Sequence, residues 1–231
     1  YERAVVAINA SNGQCIQRYD LGFYPYNMTI NQDTGFLYVG GSNGFKTINL
    51  SNGSMQNCSL HNNFKFNYGS TVSGGYLYFY RSPRIYRSML NTSGSRCPHN
   101  STKKFNYNVG PYVGLEADPN NPNNLFALSW IMSNLRSMTV NSSGTGYSSN
   151  WDRGSRSMTN TSATSTYFYY PWGLGWDSNN NRLIAADLNK GAVQIFDTNG
   201  DWLKTFGGAP TTRMQAAHAA IKSLVTDASL T

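Results

Sequence analysis

Residues 171–208 read PWGLGWDSNNNRLIAADLNKGAVQIFDTNGDWLKTFGG, and the fold is decided by the order of runs and turns within them. An inner run ends at Asp177 and a second, Arg182-Leu183-Ile184-Ala185-Ala186-Asp187, follows the polar turn Ser178-Asn179-Asn180-Asn181. A third run, Val193 to Phe196, leads through Asp197-Thr198-Asn199-Gly200 to an outer run that closes on Phe206-Gly207-Gly208. Asn-Gly turns supply the positive φ angles of tight hairpins, so the stretch predicts four antiparallel strands.

Working outward, the hairpin turn recurs as Ala10-Ser11-Asn12-Gly13, Leu50-Ser51-Asn52-Gly53, Asn91-Thr92-Ser93-Gly94 and Asn141-Ser142-Ser143-Gly144. Its glycines are 40, 41, 50 and 56 residues apart up to Gly200. A strand-type run precedes each turn: Val5 to Ile8, Phe45 to Ile48, Ile85 to Leu90, Leu135 to Val140 and Ala192 to Phe196. Weaker copies of the inner pair of runs are Met28 to Asp33 with Phe36 to Gly40, Thr71 to Gly75 with Tyr76 to Tyr80, and Val113 to Asp118 with Leu125 to Ser129. A period of this length built from four short strands predicts an all-β fold, a β-propeller of about five four-stranded blades.

Over residues 170–208 the chain resembles the NHL-repeat family of β-propellers. The other copies share its period and turns but depart in detail: Tyr76 to Tyr80 lacks the terminal Asp, and 141–169 is lengthened by Ser, Thr and Asn. The expected domain is 1–208, followed by an Ala-rich helical connector at 209–231 that leads into a possible shared or closing strand. The blades at the two ends read as incomplete. Val5 to Ile8 enters as a third strand and Cys15 to Leu21 as its outer partner, while Ser223 to Asp227 reads as an opening inner strand. Two readings of the tail stay open: a strand that completes a blade within or between chains, or a short amphipathic helix over 212–225 with Met214, Ala217, Ile221 and Leu224 at helical spacing.

The 231 residues carry 39% hydrophobic but only 13% charged side chains, so solubility rests on neutral polar groups or attached sugars. The net charge of +7 comes from scarce acids, and the basic residues are scattered apart from Arg81, Arg84, Arg87 and Lys103-Lys104. Nucleic acid binding needs a concentrated basic surface and is not expected; an acidic polysaccharide is a possible partner for the arginines. No apolar run approaches the length of a membrane span. The opening Tyr1-Glu2-Arg3 lacks signal-peptide anatomy, so a mature or trimmed chain is expected.

Nine Asn-X-Ser/Thr sequons, at Asn9, Asn27, Asn49, Asn52, Asn57, Asn91, Asn100, Asn141 and Asn160, are candidate N-glycan sites of a secreted chain. Chance alone gives about five from 28 Asn and 44 Ser plus Thr, so placement matters more: Asn9, Asn49, Asn52, Asn91 and Asn141 all fall beside the third-to-fourth-strand turn. Cys15, Cys58 and Cys97 follow successive turns on or near outer strands. Cys58 with Cys97 is the candidate disulfide, although outer strands of neighbouring blades diverge, and Cys15 is left free or bonded between chains. His61, His99 and His218 have no ligand-like spacing, and no metal or cofactor is expected.

Asp33, Asp118, Asp177 and Asp187 recur at strand ends, which favours turn-capping hydrogen bonds over acid catalysis. No nucleophile motif is present, so no catalytic residue is expected. Among the aromatics, Tyr76 to Tyr80 read as packing between blades, whereas Tyr167, Tyr169, Tyr170 and Trp172 are the candidate ligand-facing group. The expected function is a secreted, glycosylated structural or interaction module. It contacts copies of itself or other extracellular proteins, in a matrix or cell-surface appendage, and joins head to tail if a fibre subunit. A glycan-binding propeller is the alternative, and a lyase of the NHL type comes third.

Overall fold

The computed structural model describes residues 2–42, 44–58, 68–81, 84–90, 97, 103–104, 112–154, 168–188 and 190–207. They fall in two compact units, residues 1–104 and 105–231. In the first unit a two-stranded hairpin, β1 (Ala4–Ile8) and β2 (Cys15–Asp20), precedes two four-stranded sheets. One contains β3 (Pro25–Asn31), β4 (Phe36–Gly41), β5 (Phe45–Asn49) and β6 (Met55–Asn57); the other β7 (Ser70–Ser73), β8 (Tyr76–Arg81), β9 (Arg84–Met89) and β10 (Lys103–Lys104). The second unit holds two more, β11 (Tyr112–Asp118), β12 (Asn121–Ser129), β13 (Asn134–Val140), β14 (Tyr147–Arg153), then β15 (Pro171–Asp177), β16 (Arg182–Asp187), β17 (Ala192–Phe196), β18 (Trp202–Gly207).

Every sheet is an antiparallel meander in chain order. Four such blades and a hairpin in the third-and-fourth-strand position make the chain an all-β propeller, close to the expected five. The predicted C-terminal helix and the strand at 223–227 lie outside the described residues.

The second strands β4, β8 and β12 are buried on both faces, whereas β16 buries Leu183, Ala185 and Asp187 and leaves Ala186 exposed on the other face. Leu77, Tyr78, Phe79 and Tyr80 are all buried, as are Leu125, Phe126, Ala127 and Leu128. The packing reading of Tyr76 to Tyr80 therefore holds for its core. In the second unit one cluster spans both blades, with Phe126, Leu128 and Leu135 from one meeting Leu183, Ala185 and Phe196 of the other around Phe168. Phe126 stacks on Trp176 at 5.6 Å. The inner strands come so close that a Cβ on Gly114 would sit 2.5 Å from the Leu174 Cβ, so the approach of β11 to β15 requires glycine there. In the first unit Val5 and Ala7 of β1 pack on Tyr19, Leu21, Phe23, Leu37, Val39 and Ile48, which ties the hairpin to the β3–β6 blade.

Cys58 and Cys97 are disulfide-bonded, with Cα atoms 5.3 Å apart. The expected divergence of outer strands does not apply, because Cys97 lies in the connection from β9 to β10 and not on an outer strand. Cys15, at the start of β2, is an exposed free thiol. Such a bond persists in oxidising compartments, which places the chain outside the reducing cytoplasm. Among the described residues no helix is long and apolar enough to cross a membrane.

Candidate interaction surfaces

Among the described residues the turns after β1, β5, β13 and β17 share one device. Asn9 Oδ1 accepts the Ser11 N–H at 2.9 Å and its hydroxyl at 2.6 Å; Asn49 Oδ1 does the same with Ser51 at 2.9 and 2.7 Å. Asn141 Oδ1 accepts from the Ser143 hydroxyl and the Thr145 and Gly146 amides. In the last blade Asp197 takes this place, its Oδ1 accepting the Asn199 and Asp201 amides at 3.0 and 2.7 Å. The fold thus uses the side-chain oxygen, for which Asn and Asp are equivalent, and leaves the Asn nitrogen out of the turn. Asn52, Asn57 and Asn141 are exposed, and Asn9 and Asn49 are half-buried. Asn27 differs: its Nδ2 donates to the Ser70 hydroxyl at 3.2 Å, between β3 and β7. Asn91, Asn100 and Asn160 lie outside the described residues.

The recurring acids cap turns. Asp118 Oδ1 accepts the Asn120 amide at 2.9 Å, and Asp177 Oδ1 accepts those of Asn179 and Asn180. In the first of these blades the capping residue is Asn31, not Asp33: β3 ends at Asn31, whose Oδ1 accepts the Asp33 N–H at 3.1 Å. Asp187 is buried and accepts three amides, from Tyr169 at 2.6 Å, Tyr170 at 3.0 Å and Lys190 at 3.2 Å. Burial pushes the Lys190 ammonium down, with Asp187 opposing. Burial also pushes the Glu116 carboxyl up to about 8. Glu116 pairs with Phe126 across β11 and β12, on the sheet side that faces Trp176.

Of the expected ligand-facing aromatics, Tyr170 and Trp172 come together at one corner of the second unit; their rings stack at 5.7 Å and 8°. Trp130, which the sequence reading missed, stands edge-on to both, at 5.2 and 6.4 Å. The turn after β12 holds Trp130: Ser129 Oγ accepts the Met132 amide at 3.2 Å, and Ser133 takes a φ of 51°. Asp187 fixes the other side through the Tyr169 and Tyr170 amides, and Leu188 N–H bonds the Tyr170 carbonyl at 3.0 Å. Trp172, Ile131, Met132 and Leu188 are exposed around this corner. Tyr167 lies outside the described residues.

Among the described residues of the basic cluster, Arg81 and Arg84 are half-buried. Arg87 is buried, its guanidinium 4.4 Å from the Tyr76 ring centre, because β9 turns it into the sheet face. Among the described residues no group of His, Cys, Asp and Glu has the arrangement of a metal site. His61, His99 and His218 lie outside them.

No family model matches the chain and no curated protein matches it. Solved structures do. A Bacteroides caccae protein of unknown function aligns over 88% of this chain and 68% of its own, with a TM-score of 0.59 at 10% identity. A chain of the nidogen/laminin complex aligns over 87% and 88%, with a TM-score of 0.55 at 11% identity. Hydrazine synthase of Kuenenia stuttgartiensis aligns over 95% and 77%, with a TM-score of 0.59 at 11% identity. At such low identity these likenesses establish the fold and carry no activity across.

Proposed function

We propose that the chain is a secreted, N-glycosylated propeller of the NHL type that acts, without catalysis of its own, as an extracellular assembly module. The observation that carries this reading is the β1–β2 hairpin. Among the described residues β1 pairs with β2 alone, and its other edge has no strand partner among them. Val6 and Ile8 alternate with the packed Val5 and Ala7, and together with Ile16 they are 41, 62 and 66% exposed. An open edge beside an apolar face is a template for an added strand. A strand supplied by a second copy makes the contact heterologous, and a heterologous contact whose rotation does not close grows a filament. The absence of a catalytic role is supported by Asp118, Asp177 and Asp187, whose oxygens accept backbone amides.

The assembly test is sedimentation and electron microscopy of the 231-residue chain beside a V6D/I8D variant and a chain lacking residues 211–231. Wild type is expected as multimers, and both variants as monomers. A monomeric wild type at micromolar concentration, or multimers undiminished in both variants, overturns the reading. The alternative left open by the sequence, glycan binding, has its support elsewhere, on the Trp130, Tyr170 and Trp172 corner.

The glycosylation half of the proposal makes its own prediction. Glycopeptide mass analysis of secreted protein is expected to find sugar at Asn9, Asn49 or Asn52 and Asn141, and none at Asn27. A sugar on Asn27 would replace its bond to Ser70 and force the β3–β7 approach apart. Asn49→Asp removes one sequon while keeping the turn, so its melting midpoint shifts by about 2 °C or less. An unglycosylated chain of 25.6 kDa from a secretory host would sink this half.

A further inference from the structure

What repeats between the two units is a ring on a bulge. In β3 the register steps from Pro25 opposite Gly41 to Asn27 opposite Gly40, which leaves Tyr26 as the extra residue. In β15 it steps from Pro171 opposite Asp187 to Gly173 opposite Ala186, which leaves Trp172. Bulges re-aim side chains, and both rings end up outside, Tyr26 at 43% and Trp172 at 45% exposure. Each is backed by a parallel ring: Tyr68 lies 5.5 Å from Tyr26 at 13°, and Tyr170 lies 5.7 Å from Trp172 at 8°. The same bulge in β11 holds Val113, which is buried, so the bulge alone does not force exposure. The apolar flank does not repeat, since the turn after β4 holds Ser42 and Gly44 where the second unit has Ile131, Met132 and Leu188.

From this recurrence we propose that Trp172, backed by Tyr170 and walled by Trp130, binds a hexopyranose of a neutral β-linked glycan chain, and that Tyr26 backed by Tyr68 is a second site of the same kind. The proposal deepens the glycan-binding reading of the corner and is independent of strand addition at β1. An equatorially substituted hexopyranose has a flat face of C–H bonds and a rim of hydroxyls. The flat face covers an exposed aromatic face, while the rim stays hydrated or meets the tyrosine hydroxyls. A protein hot spot is a single enclosed patch surrounded by contacts that exclude water. A polymer of like sugars instead matches small like sites used more than once. The rings are held before any ligand arrives, by mutual stacking and by the backbone bonds to Asp187, so little side-chain freedom remains to be lost on binding.

All five tryptophans lie in the second unit, so tryptophan fluorescence reports on that unit and not on the Tyr26 site. The test titrates the full chain with cellohexaose and chitohexaose, with α-linked maltohexaose as the control. At least one β-linked hexaose is expected to give a saturable change at about 0.1–1 mM, weakened at least about tenfold in W172A and Y170A and largely kept in W172F. Y26A is expected to leave that titration unchanged while about halving retention on the matching polysaccharide in affinity electrophoresis. A melting midpoint within about 3 °C of wild type shows that W172A is folded. The proposal fails if no β-linked hexaose gives a saturable change up to about 5 mM, or if folded W172A binds like wild type. It fails equally if W172A loses self-association and the wild type binds no sugar, which would make the corner a protein-docking surface.

Discussion

Asp187→Ala is expected to cost about 3–5 kcal/mol, the largest effect of any single polar substitution proposed for this chain. The carboxylate is 2% exposed and serves the amides of Tyr169, Tyr170 and Lys190 at once. Alanine leaves those donors facing one another around a small void, and water replaces only part of what is lost. For a chain of 231 residues the melting midpoint falls by about 6–20 °C. Asp187→Asn separates acceptor from charge. Its remaining oxygen can keep the Tyr170 and Lys190 amides, so about 1–2 kcal/mol is expected. Asp187→Ala, unlike Asp187→Asn, frees Tyr170, so the Ala variant should also lose the fluorescence signature of the Trp130 and Trp172 corner before global melting. Thermal melts that place the Ala and Asn variants together, both near wild type, would show that the three amides find other acceptors.

Cys97→Ser is the second large effect. The Cys58–Cys97 bond closes a loop with a sequence separation of 39, and such a cross-link stabilises by about 2–4 kcal/mol, chiefly by restricting the unfolded chain. The loss belongs to the first unit, which contains both cysteines. Reductant should lower the wild-type midpoint by about 4–15 °C and leave the Ser variant where it already is. Limited proteolysis would then cut first between β6 and β10. A wild-type melt indifferent to reductant would contradict this account, because both sulfurs would have to be free in solution.

The frame of the fold was legible because its signals are local. Gly13, Gly53, Gly144 and Gly200 sit in turns with positive φ, and the strands they join stand where the runs place them. Asp118 and Asp177 cap as their repetition suggests, yet Asp33 misled: the end of β3 falls two residues earlier, and strand ends are poorly fixed by pattern. Trp130 was invisible as a partner of Trp172. The two lie 42 residues apart, and nothing in either segment announces that the turn after β12 and the start of β15 meet at one corner. Cys58 with Cys97 was named but set against a geometric objection that assumed both lay on outer strands. Arg87 read as part of a basic cluster for an acidic polysaccharide, although strand alternation carries it onto the Tyr76 ring. Local chemistry was readable; junctions between distant segments were not.

The hairpin turns have a consequence for how such a surface can change over generations. Asn49 and Asp197 hold the same turn with the same oxygen, so Asn49→Asp alone erases a sequon, whereas Asp197 becomes one only when Asn199 is also changed to Ser or Thr. The hydroxyl required by the sequon, Ser51, is the one that also bonds Asn49, so the turn and the glycan acceptor draw on a common set of atoms. A lineage could add or shed a sugar blade by blade, trading carbohydrate for negative charge at fixed points on its outline. If these sequons are glycosylated as proposed, the coat they form is free to drift at a rate the core cannot follow.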